Sequence, residues 1–278
     1  MERGSFTARG DRPMSTVMNT AVPEKSEAAT EAPRPPWRLA FGVTAIAIGV
    51  IALVKWYQHT FSWSVGLDSF SDEFQTYWMR IFYVQIIGLP VLGAIGALWL
   101  WMTRDRDILN LPARDELRRF YAMFSILVVA AIALISALGL LTEADAAWHQ
   151  VVIRDTDFTP THIFLFYLGI PAGLGGLVMA WIWVHTRLPY FANRVSMPLS
   201  LAIIGFMMAG PVVAFNEWAH TFFYAEELFG APVHWFFVLA GFFLVFLIGF
   251  VIQCIQRMYE LSRVYSLEEV EKEMGLTD

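Results

Sequence analysis

Two stretches of this 278-residue chain repeat one chemical pattern: Asp145 and His149 followed by His162, and Asn216 and His220 followed by His234. In each, an oxygen-bearing residue and a histidine stand four apart, and the later histidine lies two residues after a proline (Pro160, Pro232). On a helix, residues i and i+4 share a face one turn apart, so each pair offers two donor atoms to one ion, and the later histidine offers a third. Two imidazoles with a carboxylate or amide oxygen form a set for first-row transition metals. Imidazole suits copper, zinc, iron and nickel, the affinity order favours copper, and two histidines with a carboxylate equally hold ferrous iron for oxygen chemistry. Three protein ligands leave positions open, as a reactive rather than a purely structural ion requires.

A single histidine at a membrane boundary is more often a hydrogen-bonding residue than a ligand. Here four of the six histidines fall in two matched settings, each with an acid or amide one turn away. His59 and His185 lack such partners and read as structural, with His59 placed in an outer loop. Trp148 and Trp218 read as aromatics of the interfacial belt. Glu226 and Glu227, between His220 and His234, read as solvated loop acids with a supporting role toward the ligands left open.

The elements that position these residues follow from composition. With 57% hydrophobic, 15% aromatic and only 16% charged residues, the chain is too apolar for a soluble domain of this length. Six uncharged stretches, residues 39–54, 81–102, 120–141, 163–184, 197–215 and 235–255, read as transmembrane helices. Crossing about 30 Å of hydrocarbon takes about 20 residues. The first stretch reaches that length if Trp37 and Trp56 anchor its ends. The expected fold class is therefore all-α: a polytopic membrane domain over residues 37–260, a disordered segment over 1–36 that ends in a Pro-rich run, and a tail over 261–278.

Orientation follows from the basic residues. Sixteen of the nineteen Lys and Arg fall in the N-terminal segment, the loops after the second and fourth spans, and the C-terminal tail. Lys55, Arg80 and Arg154 are the rest. Both termini are accordingly expected in the cytoplasm, with all six candidate ligands near the outer face. No cleavable signal is evident, and Met14 is an alternative start. The lone Cys254 rules out an intrachain disulfide and a cysteine-rich metal or iron–sulfur site. The acidic run around Glu268, Glu269, Glu271 and Glu273 reads as a solvated helix end.

Spans three and four form one hairpin and spans five and six another, related as parallel copies. Each returning helix starts with proline near its first position, where the missing N–H costs nothing. Thr159 is placed to cap the first of them. His162 and His234 then sit in first turns, where the positive helix end disfavours imidazolium and leaves the neutral ring that a metal needs. No Gly-rich phosphate loop is present, so nucleotide and nucleic-acid chemistry are not expected. The glycines of Gly173, Gly175 and Gly176 read as close-packing material.

From about Trp56 to the end of the sixth span the chain resembles the C subunit of the copper membrane monooxygenases, the family of particulate methane monooxygenase and ammonia monooxygenase. The segments that carry the resemblance are residues 68–79 (DSFSDEFQTYWM), 148–162 (WHQVVIRDTDFTPTH) and 216–234 (NEWAHTFFYAEELFGAPVH). The resemblance implies that Asp145, His149 and His162 form one metal site and that Asn216, His220 and His234 form a neighbouring copper site, to which oxygen insertion is assigned; by its ligand chemistry, a carboxylate with two imidazoles, the first site suits copper or zinc. It also implies a trimer of heterotrimers with A and B subunits in a bacterial inner or intracytoplasmic membrane. The reaction implied is oxidation of methane to methanol with O2 and a quinol.

Ammonia and longer alkanes are alternative substrates within the family. Outside it, a di-haem membrane cytochrome would use paired histidines on helices, although Pro160 between His149 and His162 argues against one continuous helix there. A proton-coupled transporter would also place ionisable groups within the membrane.

Overall fold

The computed structural model of this chain describes residues 33–154, 158–208 and 243–273, and every described element is helical. In chain order they are α1 (Trp37–Val65), α2 (Asp72–Met102), α3 (Ala113–Trp148), α4 (Pro160–Arg187), α5 (Met197–Met207) and α6 (Phe243–Glu273), with short turns at Ile108–Asn110 and Pro189–Ala192. The first four are long and apolar enough to cross a membrane. At about 1.5 Å per residue, even the 28 residues of α4 reach beyond the hydrocarbon thickness. Asn216, His220, His234, Trp218, Glu226 and Glu227 lie outside the described residues, as do the end of the fifth expected span and the start of the sixth.

The helices run further than their apolar stretches. α1 continues through His59 to Val65, so this histidine sits on a helix and not in a loop. α2 begins at Asp72, where Ser71 caps it by accepting from the Phe74 N–H at 3.1 Å. The C-terminal acidic run is helical as far as Glu273, which carries α6 well into the expected tail. Two π turns, Gln75–Met79 in α2 and Leu165–Gly169 in α4, shift helical register near the end of the bundle that carries Asp145.

Packing pairs α1 with α3, α2 with α4, and α5 with α6. Two buried clusters hold the bundle together, one at each end. Leu117, Phe120, Val184, Leu188, Phe191, Leu199, Phe250 and Cys254 join α3 to α6 at the end rich in arginine. Phe74, Trp78, Phe82, Leu141, Ile163 and Phe164 join α2, α3 and α4 at the opposite end. Between and around them large side chains such as Phe41, Ile46, Val84, Ile87 and Leu92 are exposed. Lipid tails solvate such surface as well as a core does, which makes these faces compatible with a bilayer. Of the glycines in α4, only Gly173 serves close packing: a Cβ there would come within 2.6 Å of Phe206, whereas Gly175 and Gly176 face open space.

The arginine-rich end is tied by ion pairs. Arg257 of α6 reaches Glu116 of α3 through two bonds, Nε–Oε1 at 3.1 Å and Nη2–Oε2 at 2.9 Å, and Glu116 is 1% exposed. Arg119 bonds Asp105 at 2.8 Å, and this hydrogen bond, working against burial, holds the Asp105 carboxyl below the usual carboxylate range. Breaking a buried pair strands a charge in a low-dielectric setting. Glu116→Ala is therefore expected to destabilise the purified protein by about 3–5 kcal/mol, whereas the Glu116→Leu, Arg257→Met double variant recovers most of that loss. Thermal unfolding in detergent, followed by circular dichroism, checks both.

Candidate metal centre

The sequence ends α3 and begins α4 within a dozen residues, and the two ends carry the first ligand set. α3 keeps its helical hydrogen bonding to the last turn, where the His149 N–H donates to the Asp145 carbonyl at 3.0 Å. This places the Asp145 and His149 side chains one turn apart on one face. Thr159 caps α4: its Oγ1 accepts from the His162 N–H at 3.0 Å, and Pro160 occupies the first turn. His162 is thereby fixed in the opening turn of α4 and points back at the end of α3.

The three side chains converge. His149 Nε2 and His162 Nε2 each lie 3.4 Å from Asp145 Oδ2, and one donor atom from each residue falls within 4.8 Å of the other two. Ligand bonds of about 2.1 Å in tetrahedral directions would separate neighbouring donors by about 3.4 Å. The two His–Asp distances match that spacing, and the three residues together could hold a metal ion. The His149 side chain is 39% exposed and that of His162 only 5%. One imidazole thus opens to solvent while the other backs onto the bundle, 4.6 Å between ring centroids from Phe166.

Asp145 lies past Leu141, where the apolar span of α3 ends. Burial pushes its carboxyl up, but hydrogen bonds with His149 and His162 outweigh this and hold it below the usual range. Thr161 donates its hydroxyl to Asp145 Oδ1 and lies 3.0 Å from the Thr159 hydroxyl. Thr161 is the supporting residue that the ligand pattern does not reveal. Its only sequence signal is its place between Pro160 and His162.

Trp148 was expected at the interfacial belt, yet it is 1% exposed, and its indole N–H donates to the Gly66 carbonyl at 3.2 Å. Its job is to lock the end of α1 onto the end of α3. Gly66 also lies against Pro160, so a Cβ at that position would come within 2.8 Å of the proline ring. A second lock joins the loops: Asp68 accepts from Arg154 Nε at 2.6 Å and from its Nη2, and the Ile153 N–H donates to the Leu67 carbonyl at 2.8 Å. Arg154 holds the Asp68 carboxyl below its ordinary range. His185 takes no part: its Nδ1 lies 2.7 Å from the Trp181 carbonyl and its Nε2 accepts from the Ser196 N–H at 3.0 Å, which fixes a neutral tautomer.

His149→Ala is expected to remove roughly one metal equivalent per chain, as one ion per three-ligand site requires. Thr161→Val, which leaves all three ligands in place, should weaken metal affinity about 10- to 100-fold. Metal analysis after dialysis against graded chelator distinguishes the two; unchanged metal content in His149→Ala would refute the site.

Comparison with known proteins bears on this geometry. The family model for the C subunit of ammonia monooxygenase/methane monooxygenase matches residues 24–265. The match reaches into the N-terminal segment, where no motif carries a resemblance. No curated protein matches the chain.

Proposed function

The chain belongs to the C-subunit family of ammonia monooxygenase/methane monooxygenase, and from that membership and the convergent Asp145, His149 and His162 we propose that it is the C subunit of a copper-dependent monooxygenase oxidising methane to methanol. The membership makes it a multi-pass subunit of a membrane monooxygenase. The substrate, the metal and the assembly belong to the proposal. The observation that carries it is the three-ligand cluster at one end of an apolar bundle, a place where an apolar gas dissolved in the bilayer and protons from water can meet.

In this reading Asp145, His149 and His162 hold copper or zinc, and Asn216, His220 and His234 hold the copper at which oxygen is inserted. When bound, copper supplies O2 activation and accepts electrons from a quinol. The chain's own residues set the conditions. The Asn216 amide is a weak neutral donor that adds no negative charge, so its set should favour the reduced ion more than a carboxylate set would. Thr161 and the Trp148–Gly66 lock keep Asp145 and His149 in place without reaching the ion. A and B subunits complete a trimer of heterotrimers in a bacterial inner or intracytoplasmic membrane, facing lipid and one another through the exposed apolar sides of the helices.

The proposed topology has six spans with both termini cytoplasmic, supported by the concentration of basic residues at one end of the bundle. Cysteines introduced by Asn110→Cys and Ala225→Cys should label from opposite sides of the membrane, over a low background because Cys254 is buried. Labelling from the same side overturns the topology.

Substrate and catalytic site are tested together. Membranes carrying the assembled complex should oxidise methane, and turnover of ammonia without methane would assign the chain to the ammonia enzyme instead. His234→Ala should leave assembly intact and lower methane turnover by more than the 10- to 100-fold typical of residues that only support a ligand. Wild-type turnover in an assembled His234→Ala complex lacking that copper would move the chemistry elsewhere in the complex.

A further inference from the structure

The end of α1 beside the metal cluster contains an anomaly. Gln58 is 3% and Ser62 2% exposed, yet among the described residues both atoms of the Gln58 amide and the Ser62 hydroxyl have no hydrogen-bond partner. Neighbours on the other face of α1, Trp56, His59 and Thr60, are exposed, so the face bearing Gln58 and Ser62 is the one turned into the bundle. Buried polar groups are ordinarily paired, and two residues unpaired one turn apart on the same inward face call for a bound partner.

The register of α1 on α3 places this corner. The Lys55 ammonium lies 3.5 Å from the Leu140 carbonyl, and both helices run toward the ligand end, where Trp148 bonds Gly66. From Lys55, Gln58 is about 4.5 Å and Ser62 about 10 Å further along α1, while Asp145 is about 7.5 Å beyond Leu140 along α3. Gln58 and Ser62 therefore bracket the level of Asp145. Lys55, Gln58 and Ser62 share one face at i, i+3 and i+7, and an ammonium at this depth keeps water about it. Ser62 is one turn before Gly66, which touches Pro160 at the start of the segment bearing His162.

We propose that Gln58 and Ser62 hold a short file of internal water, running from Lys55 along α1 to the level of Asp145, His149 and His162, that carries protons to the ligand end of the bundle during turnover. The inference rests on the monooxygenase reading. Oxygenation of R–H places one oxygen atom of O2 in the product R–OH and reduces the other to water, with two electrons from a quinol and two protons taken up. All six candidate ligands are expected at this end of the bundle, so the protons are taken up there. Gln58, with donor and acceptor, can orient a water at each end of its amide, and Ser62, with a rotating hydroxyl, can pass a proton from one water to the next.

Two measurements on the whole complex test this. A cryo-electron microscopy map that resolves ordered water should show solvent within hydrogen-bonding distance of Gln58 and Ser62. A side chain from elsewhere in the complex in that place would overturn the proposal, whatever the enzyme's substrate. The Gln58→Met, Ser62→Ala double variant should keep its metal content and thermal midpoint and lose turnover by about tenfold or more, with a larger solvent deuterium isotope effect, while Gln58→Glu retains turnover. Wild-type turnover in the double variant, or loss of metal from it, would also overturn the proposal. If the unmodified complex oxidises neither methane nor ammonia, the monooxygenase reading fails, and the map still decides whether water occupies the corner.

Discussion

The close approach at Gly66 is the constraint on which the ligand end depends. Three helix ends meet there: α1 terminates, α3 delivers the Trp148 indole to the Gly66 carbonyl, and α4 begins with Pro160 against the glycine's bare α-carbon. Any side chain at this position would push Pro160 away, and with it His162, which is fixed two residues later by the Thr159 cap. The distance between the end of α3 and the start of α4 is what turns three separated residues into one cluster. That distance is set by a residue with no metal chemistry of its own.

A bilayer explains why the devices are concentrated at the two ends. In hydrocarbon every backbone group must be satisfied within its helix, and apolar side chains gain little by choosing one another over lipid. Specificity must come from tight contacts and polar locks where the helices leave the apolar layer. The Arg257–Glu116 and Arg119–Asp105 pairs do this at the basic end, and the Asp68–Arg154 clamp with the Trp148 bond does it at the other. The middle of the bundle is held by less, as its many exposed apolar side chains show.

The cluster is asymmetric in a way that suits a reaction between phases. His149 opens toward water, His162 is buried beside Phe166, and Asp145 stands between them, its second oxygen taken by Thr161. An ion bound there would have one wet and one dry side. Gln58 and Ser62 of α1, without a hydrogen-bond partner among the described residues, lie at the level of the cluster along α1, where polarity has no structural reward. Burying such groups in a membrane protein is unfavourable unless they serve something, and the neighbouring cluster is what they could serve.

The sequence by itself determined the membrane class, the positions of the first four long helices, the start of α4 at Thr159 and Pro160, and the candidate ligand set of Asp145, His149 and His162. These are properties of local composition and i, i+4 spacing, which a helix converts directly into a shared face. It also carried the family resemblance in residues 68–79 and 148–162. The tertiary structure alone decided that His162 meets Asp145, that Trp148 is a buried lock and not a belt residue, that Thr161 supports the carboxylate, and that Gln58 and Ser62 face inward without partners among the described residues. Each of these depends on which helix end lies beside which. That is fixed by contacts such as Gly66 against Pro160 and Asp68 with Arg154, between residues far apart in the chain, and no local pattern encodes them.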